Sequence, residues 1–588
     1  MISMQANSWN MNDKLHGQLI QLLFDAQTDL AARVEQYRKV DAILKPIHIK
    51  KPNGAMVIEL PTIFPMFDTA RTSLSELLIS DPLLKYEGTS PEDAVGAALL
   101  EKVVQSQCRN SGAALAVDSM ISNCLKYNTC AGVVTWKQSR DVRGNVISEG
   151  SVLSVIDPYK TFYDGALPPH RFQDANFIGW YDTIPIAKLM ELVKSGYFQK
   201  FEEMKSVIDA PSAYLFGGLD SLRRYPLTPN ARVVDVVTLY ANIIPYEFGL
   251  GDSLLPEKWL FCILGNNTII KAQPLGMEHN LFPLVVISPD FDDFDNTALS
   301  RTGMLTGLQE LINWMFSTHI QNTTRATGNR MVIDPTAVNI NDVIDNHTYI
   351  RVRKRAVGRD VRTMVQQLEI KDTTANYYGD IAKTMEVMQS VSGADSASSG
   401  QLRKDGPERL TSKEYIGTLS AAQGRLGRIA KVLAQQLFPN LGRFFAYNTQ
   451  KVMSRPTQVK FAGRWEELLS KQYNSSSALA SMSDLNVNYD VIVHEGSKTN
   501  ESSAELWIEV FKLVSTSGVL VQQFDIIKIF DKLMQSMGVK DVEALHVKQE
   551  AMTQDPNADT EQPGIDAASD GGETTRFMNI ADMLSGGA

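Results

Sequence analysis

The sequence predicts an α+β fold with a mixed N-terminal half and a mainly helical C-terminal half. Between residues 130 and 288, runs rich in β-branched and aromatic residues are separated by short turn signals, which is typical of antiparallel strands joined by turns. On either side, apolar residues recur every three or four positions, the spacing of amphipathic helices. With 588 residues and 44% apolar content, the chain is long enough for several domains with substantial cores.

The N-terminal part begins with helices. Apolar spacing predicts one helix over residues 11–40. Ser90 suits the N-cap of a second helix and Pro91 its first turn, and this helix or a successor is expected to continue to Tyr127. After Tyr127 the spacing of apolar residues changes from that of helices to that of strands. Strands are predicted at 130–136, 146–156, 232–245, 258–264, 268–272 and 281–288.

The second half reads as helices interrupted by a compact insertion. One helix is predicted from an apolar face formed by Met304, Leu308, Leu311, Met315 and Ile320. Another is predicted from Tyr377, Ile381, Met385 and Met388. The insertion between them carries strand-like pieces at 330–333 and 349–352.

A polar Gly/Ser-rich loop at 393–409 precedes a long helix, for which residues 411–414 form a capping box. Pro439 is expected to end or kink this helix. Two further helices are predicted at about 501–516 and 522–537.

Charge is distributed unevenly along the chain. The formal net charge is −10, from 57 Lys and Arg against 67 Asp and Glu. Residues 541–588 hold ten acidic and two basic side chains, so this tail carries −8 and residues 1–540 only −2. The tail is expected to be disordered from about Asp555, and its last stretch, 577–584, is apolar enough for a short partner-binding helix. The rest is a nearly neutral body, which argues against gripping nucleic acid over the whole surface but not against contacting it.

Motifs for catalysis and cofactor binding are missing from the sequence. It contains no phosphate-binding loop, no nucleophile elbow, no zinc-protease motif and no dinucleotide fingerprint, so neither an enzyme nor a cofactor is predicted. The four Cys residues show no C-x-x-C spacing, which favours a reducing compartment. No secretion signal or membrane-spanning run is expected, and the eight His residues are scattered without metal-ligand spacing.

One acidic cluster has two interpretations. It consists of Asp290, Asp292, Asp293 and Asp295. Several carboxylates within six residues can bind a divalent cation, which makes a metal-dependent hydrolase the alternative function. The competing interpretation is a solvated turn before a helix, where carboxylates complement the positive helix end.

The concentrated basic cluster also has two interpretations. It consists of Arg351, Arg353, Lys354, Arg355, Arg359 and Arg362. Strand alternation would place the side chains of Arg351 and Arg353 on one face. The cluster can meet phosphates, or it can be a solvated or inter-subunit charged face. We also hypothesise that it docks a partner protein. Arg403 and Lys404, in the polar loop, have the same ambiguity, because two cations on a flexible loop can contact a phosphate backbone or can serve solubility alone.

The order of these elements resembles the portal, or head-to-tail connector, proteins of tailed double-stranded DNA bacteriophages. Residues 60–69 (LPTIFPMFDT) resemble the family's segment leading to a β-hairpin, and residues 125–132 (LKYNTCAG) its helix–turn–strand, with Asn128 and Cys130 where Gly is frequent. Asp157-Pro158-Tyr159 with Tyr163-Asp164 resembles a family turn. The most specific piece, Ser300 to Gly303 followed by Gln309 and Asn313, resembles the start of the stem helix.

The resemblance implies a portal-like architecture with an α/β wing, long stem helices, a small α/β clip and a helical crown. Its domains would be a wing at 1–297, a stem helix at 298–326, a clip at 327–372, a second stem helix at 373–392, a tunnel loop at 393–410, a long wing helix with return strands at 411–500, crown-like helices at 501–553 and the acidic tail at 554–588.

The resemblance also implies the function. Portals form rings, typically dodecamers, at one capsid vertex, and conduct DNA during packaging and ejection without performing catalysis themselves. The implied partners are further copies of the chain, double-stranded DNA, the major capsid protein, the terminase and the tail adaptor, with no membrane. The implied locations are the virion and, during assembly, the host cytoplasm. A scaffold or adaptor without a channel is a further alternative.

Overall fold

The structure is a computed structural model. It describes residues 13–45, 48–50, 57–141, 143, 145–198, 233–264, 269–291, 300–327, 331–345, 348–367, 374, 376–393, 412–460, 466–473, 475, 477–492, 500–516, 529–530 and 533–534.

Helices and strands are mixed in the N-terminal half. In chain order they are α1 (Asp13–Ile43), β1 (His48–Lys50), β2 (Val57–Glu59), α2 (Ile63–Leu78), β3 (Lys85–Gly88), α3 (Ala94–Ser111), α4 (Ala113–Tyr127), β4 (Cys130–Arg140), β5 (Val146–Val155), β6 (Thr161–Tyr163), β7 (Phe177–Pro185), α5 (Ile186–Lys194), β8 (Val233–Ile243), β9 (Glu257–Leu264), β10 (Ile269–Pro274) and β11 (Leu284–Ile287).

The C-terminal half is mainly helical. Its elements are α6 (Arg301–Met304), α7 (Thr306–Thr327), β12 (Met331–Ile333), α8 (Ile340–Ile344), α9 (Val361–Met364), β13 (Val365–Gln367), α10 (Tyr377–Ser392), α11 (Ser412–Val452), β14 (Thr457–Lys460), α12 (Glu466–Tyr473), β15 (Ser477–Ala480), β16 (Tyr489–Ile492) and α13 (Asn500–Thr516). The predicted α+β class is confirmed.

Two antiparallel sheets form the centre of the body. One has five strands in the order β10-β9-β8-β7-β6, and the other has three in the order β11-β4-β5. Along β8, Val237, Leu239 and Ala241 face α1, whereas the alternate residues Val236 and Tyr240 face the second sheet. The period of two explains this division, because successive side chains of a strand point to opposite faces.

The second sheet divides its side chains in the same way. On β4, Ala131 and Val133 pack toward the five-stranded sheet, while Cys130 and Val134 pack toward a core that also contains buried side chains of α2, α3, α4 and α11. The body is therefore layered as helix, sheet, sheet and helices. Strands β8, β9 and β11 are covered on both faces, which explains why they are almost continuously apolar. The far ends of β4 and β5 are exposed and polar.

Most predicted elements of the body are confirmed. Helix α1, the hairpin β4–β5 and the four later strands lie where the sequence places them, and every pairing in the described sheets is antiparallel. The prediction for Ser90 was wrong, because residues 90–93 form a turn in which the Ser90 hydroxyl donates to Asp93, and the helix begins at Ala94. Gly112, with φ +66°, separates α3 from α4.

Three other expectations need correction. The expected hairpin after residues 60–69 is wrong, since β1 and β2 form a hairpin before this segment and most of it lies in α2. Pro439 does not end its helix, because α11 continues through it to Val452. Residues 349–352 form no strand, because only Val352 makes an isolated bridge, to Val338.

The described part of the insertion is small and has its own core. β12 pairs antiparallel with β13, and Ala337, Val338, Ala356 and Met364 are buried together. No helix in the described part of the chain is long and apolar enough to cross a membrane. Several predicted segments lie outside the described residues. They are most of the 393–409 loop, most of the 522–537 helix and the whole acidic tail. Of the 411–414 capping box, only the backbone from Ser412 onward is described.

Helix α11 offers a matched test of its packing. A Cβ at Gly442 would lie 2.6 Å from the Val491 side chain, whereas a Cβ at Gly427 on the same helix would meet nothing within 4 Å. We expect Gly427→Ala to stabilise the protein by about 0.5–1 kcal/mol, as Ala favours helix over Gly. Gly442→Ala should instead destabilise it by about 1–3 kcal/mol through overpacking.

Urea unfolding followed by circular dichroism measures both substitutions. Equal effects at the two glycines would contradict the close packing of α11 on β16. The double variant Gly442→Ala/Val491→Ala should recover part of the loss, because it removes the side chain that the added methyl group would strike.

Candidate functional site

The junction between the body and helix α6 is built around Asp290 and Arg301. The Arg301 guanidinium donates from Nε to Asp290 Oδ2 at 2.6 Å and from Nη2 to Oδ1 at 3.0 Å. Ser300 caps α6 by accepting a hydrogen bond from the Gly303 N–H at 2.9 Å. The Thr302 hydroxyl donates to the carbonyl of Leu125, at the end of α4, at 2.8 Å. These contacts fix the start of the helix against the body.

Asn128 completes the junction from the other side. Its backbone is left-handed, with φ +63°, and its amide donates to the Asp290 carbonyl at 2.7 Å while its Oδ1 accepts from the Asp290 N–H at 3.3 Å. Asn tolerates this conformation better than most residues other than Gly. Asn128 therefore forms the left-handed turn and adds a side-chain clamp on the backbone of Asp290.

The metal interpretation of the acidic cluster is not supported at Asp290, since both of its carboxylate oxygens accept hydrogen bonds from Arg301. Asp292, Asp293 and Asp295 lie outside the described residues. Within the described ranges, no group of three His, Cys, Asp or Glu side chains is arranged to hold a metal ion.

A polar ladder on α7 attaches this helix to β2 and the residues that follow it. Gln309, which is fully buried, donates to the Leu60 carbonyl at 2.5 Å and accepts from the Thr62 hydroxyl. The Leu60 N–H donates to Asn313 Oδ1 at 3.1 Å, and the Ile58 N–H to Ser317 Oγ at 3.0 Å. Gln309, Asn313 and Ser317 are four residues apart, so they lie on one face of the helix and follow the extended backbone beside it.

Helices α7 and α10 pack together through a small apolar core. Its buried members include Ile312 and Met315 of α7 and Ile381 and Met388 of α10. The predicted α10 face is confirmed in these two buried positions.

The predicted α7 face was partly wrong. Met315 is buried, but Met304 and Leu311 are exposed. The helix turns Gln309 and Ile312 inward because the polar ladder fixes its rotation.

The outward side of α6 and α7 is also apolar. Met304, Leu311 and Trp314 are exposed there, Trp314 by 58%. Together with Gly307, they occupy positions i, i+3, i+7 and i+10, which is the spacing of a coiled-coil seam. One side of the Trp314 ring lies beside Tyr377 of α10, with 6.1 Å between the ring centroids. On α10, Tyr378, Val387 and Val391 are exposed as well. We call these six apolar side chains the exposed seam.

In the insertion, Arg351 forms an internal ion pair. Asp342 is 1% exposed and accepts from the Arg351 backbone N–H and Nε at 2.9 Å each and from Nη2 at 2.7 Å. This carboxylate raises the pKa of Arg351. Arg351 therefore helps hold the insertion together, and the expectation that it shares a strand face with Arg353 is wrong because the segment is not a strand.

The other five cations of the cluster are exposed. Arg353 precedes a single 3₁₀ turn, Lys354–Ala356, whose Ala356 is buried in the small core and anchors the segment. None of the five forms an ion pair within the described residues. We call this set the basic surface; its members are Arg353, Lys354, Arg355, Arg359 and Arg362. Arg403 and Lys404 lie outside the described residues.

Comparison with known families decides the identity of the chain. The family model described as phage SU10 portal protein matches residues 170–569, which is 400 of the 588 residues. The chain belongs to this portal family. No curated protein matches it.

Family membership gives the site its context. The match contains the junction at Asp290 and Arg301, the ladder residues of α7, the exposed seam and the basic surface. The chain is therefore a tailed-phage portal protein, a structural head-to-tail connector.

Two functional features of this portal protein escaped sequence reasoning. Ser317 looks like an ordinary polar helix residue, and the i, i+4, i+8 spacing from Gln309 is the signal that could have revealed the ladder. Asp342 gives no signal at all, because its pairing with Arg351 arises from the fold of the insertion.

Replacing Gln309 tests the ladder. We expect Gln309→Ala to destabilise the protein by about 2–3 kcal/mol, because the half-buried Leu60 carbonyl and the Thr62 hydroxyl would lose their hydrogen bonds to this buried side chain. The adjacent exposed residue provides the control, and Glu310→Ala should change stability by less than about 0.5 kcal/mol. Thermal or urea unfolding of both variants measures the difference, and similar values for the two would refute a structural role for the ladder.

Proposed function

We propose that this portal protein assembles into a closed ring, a dodecamer as in related portals, at one capsid vertex. The ring conducts double-stranded DNA during packaging and ejection, contacts the major capsid protein, and docks the terminase and then the tail adaptor. The chain itself performs no catalysis. The observation that supports the ring is the exposed seam on α6, α7 and α10.

The exposed seam is the natural surface for a neighbouring copy. Each subunit already fills the space between α7 and α10 with its own core, yet leaves large apolar side chains outside it. Burying such side chains gains about 1.5–3 kcal/mol each. A contact between the α7 side of one copy and the α10 side of the next is heterologous, and heterologous contacts close into rings when the rotation allows.

The proposed parts of the subunit follow the chain order. Residues 1–297 form the wing, 298–326 and 373–392 the stem, 327–372 the clip, 393–410 the tunnel loop, 411–500 the return to the wing and 501–553 the crown. The contacts at Asp290 and Arg301 support a rigid joint between wing and stem. The separate core of residues 331–367 supports the clip as a compact unit.

A charge placed in the exposed seam tests the ring. Trp314→Glu should convert the assembly into free subunits, because a carboxylate would be buried at each interface. Glu310→Gln, one turn earlier on α7 and also exposed, should leave assembly intact. Native mass spectrometry measures the assembly mass, and circular dichroism confirms that each variant is folded. A folded Trp314→Glu variant that still forms the wild-type ring would disprove this interface.

The tunnel loop is tested by deletion. Removing residues 395–406, including Arg403 and Lys404, should leave ring assembly intact while impairing DNA packaging or retention, because the ring loses the cations that would contact the DNA backbone. Packaged DNA per particle is the measurement. Loss of assembly, or unchanged packaging, would count against the role of the loop.

Charge reversal tests docking at the clip. Arg353→Glu/Arg355→Glu should weaken binding of the terminase or the tail adaptor by about tenfold at low salt, and by less as salt screens the contact. Lys194→Glu, on the exposed end of α5, is the control. Surface plasmon resonance at several salt concentrations provides the readout. Unchanged binding would show that the basic surface is a solvated charged face with no role in docking.

A further inference from the structure

Two of the four cysteines meet at the turn between α4 and β4. Cys124 lies in the last turn of α4 and Cys130 is the first residue of β4, and both are buried. The Cys130 N–H donates to the Cys124 sulfur, and the two thiols share a hydrogen bond. The Cys124 thiol also donates to the Ile287 carbonyl at 3.2 Å, and Ile287 is the residue opposite Cys130 in the sheet. The two sulfur atoms are therefore direct neighbours.

The other two cysteines lack this arrangement. Cys108, on α3, and Cys262, on β9, are also buried and reduced. The described part of the chain brings no second thiol into contact with either of them. They are equally shielded from solvent, so they provide internal controls for the reactivity of the pair.

We propose that Cys124 and Cys130 form a redox modification site, at which a peroxide converts the two thiols into a disulfide. The sulfur of one thiol attacks an oxygen of hydrogen peroxide and the O–O bond breaks. The thiol proton passes to the leaving oxygen, so a sulfenic acid and one water form. The second sulfur then attacks the sulfenic sulfur, the S–S bond forms, and the hydroxyl leaves with the second thiol proton as another water. Each disulfide thus oxidises two thiols and reduces one peroxide.

Burial determines which oxidant fits this site. Cys124 is 0% exposed and Cys130 1%, so a molecule as large as a glutathione disulfide cannot reach either sulfur in the folded protein. Hydrogen peroxide is close to water in size. Burial also raises the pKa of the Cys124 thiol, which makes the first step slow because the thiolate is the reactive form. The second step is intramolecular between groups already in contact, and proximity favours it over further oxidation.

The disulfide would close a loop around the turn that holds the junction. The loop runs over the seven residues 124–130. Within it, the Leu125 carbonyl accepts from the Thr302 hydroxyl, and Asn128 clamps the backbone of Asp290. A disulfide restricts the unfolded chain, so the oxidised protein should be the more stable form. A reducing compartment keeps the thiols apart from this reaction, whereas the surface of a free virion is an oxidising environment.

Peptide mapping tests the modification directly, because Lys126 lies between the two cysteines. The full-length protein is incubated with hydrogen peroxide, the peroxide is removed with catalase, and the remaining thiols are alkylated with N-ethylmaleimide in denaturant. Trypsin then separates residues 110–126 from residues 127–137. We expect these two peptides to be joined by a disulfide, at least fivefold more often than any other pair of cysteine peptides. The peptides that contain Cys108 and Cys262 should remain alkylated.

Thermal unfolding provides a second readout with a matched control. Peroxide should raise the unfolding temperature of the wild type by several degrees, because the closed loop restricts the unfolded chain. Cys130→Ala, treated in the same way, should show no rise. The joined peptides of the wild type decide the result even where a cysteine variant fails to fold.

Three outcomes would overturn the proposal. They are complete alkylation of Cys124 and Cys130 after peroxide treatment, their conversion to sulfinic acids without a disulfide, and links to Cys108 or Cys262 that are as abundant as the expected one. The experiment needs no ring, DNA or partner protein, so its failure is distinguishable from failure of the proposed portal function.

Discussion

The hydrogen bonds from one face of α7 to the backbone of residues 58–62 are the constraint on which the rest of the stem depends. An extended segment at the margin of a fold has N–H and C=O groups that require partners when they are buried. Here side chains of a helix supply those partners, through Gln309, Asn313 and Ser317. Because these contacts are directional, they fix both the position of the helix and its rotation about its own axis.

The rotation of α7 determines what each of its faces can do. With the ladder turned toward β2, Ile312 and Met315 pack against α10, and Met304 and Leu311 remain outside. Trp314 is exposed at the edge of this contact, with its ring 6.1 Å from that of Tyr377 on α10. The joint at Asp290 and Arg301 holds the start of the same helical segment against the body through a bidentate ion pair. A subunit built in this way presents its exposed seam in a fixed direction, which a closed ring requires of every copy.

Much of the body could be predicted from the sequence because its signals are local. Alternating apolar runs identify strands such as β4 and β8, and helical spacing identifies α1. The burial and pairing of a side chain could not be predicted in this way where they depend on residues distant in the chain. Leu311 and Met315 both look like core residues of α7, but only the ladder to residues 58–62 decides that Met315 is buried and Leu311 exposed. Arg351 likewise looks like a member of the basic surface until the fold brings Asp342 beside it. The prediction of Ser90 as a helix N-cap failed because its hydroxyl donates a hydrogen bond to the Asp93 side chain, within a turn that precedes the helix.

The central claim is that the fixed orientation of α7 makes the exposed seam an interface between copies. Cryo-electron microscopy of the full-length protein tests this most directly. The account predicts a closed ring in which Trp314 of each subunit is buried against α10 of its neighbour. A ring in which Trp314 faces solvent, or a stable monomer at high concentration, would contradict it.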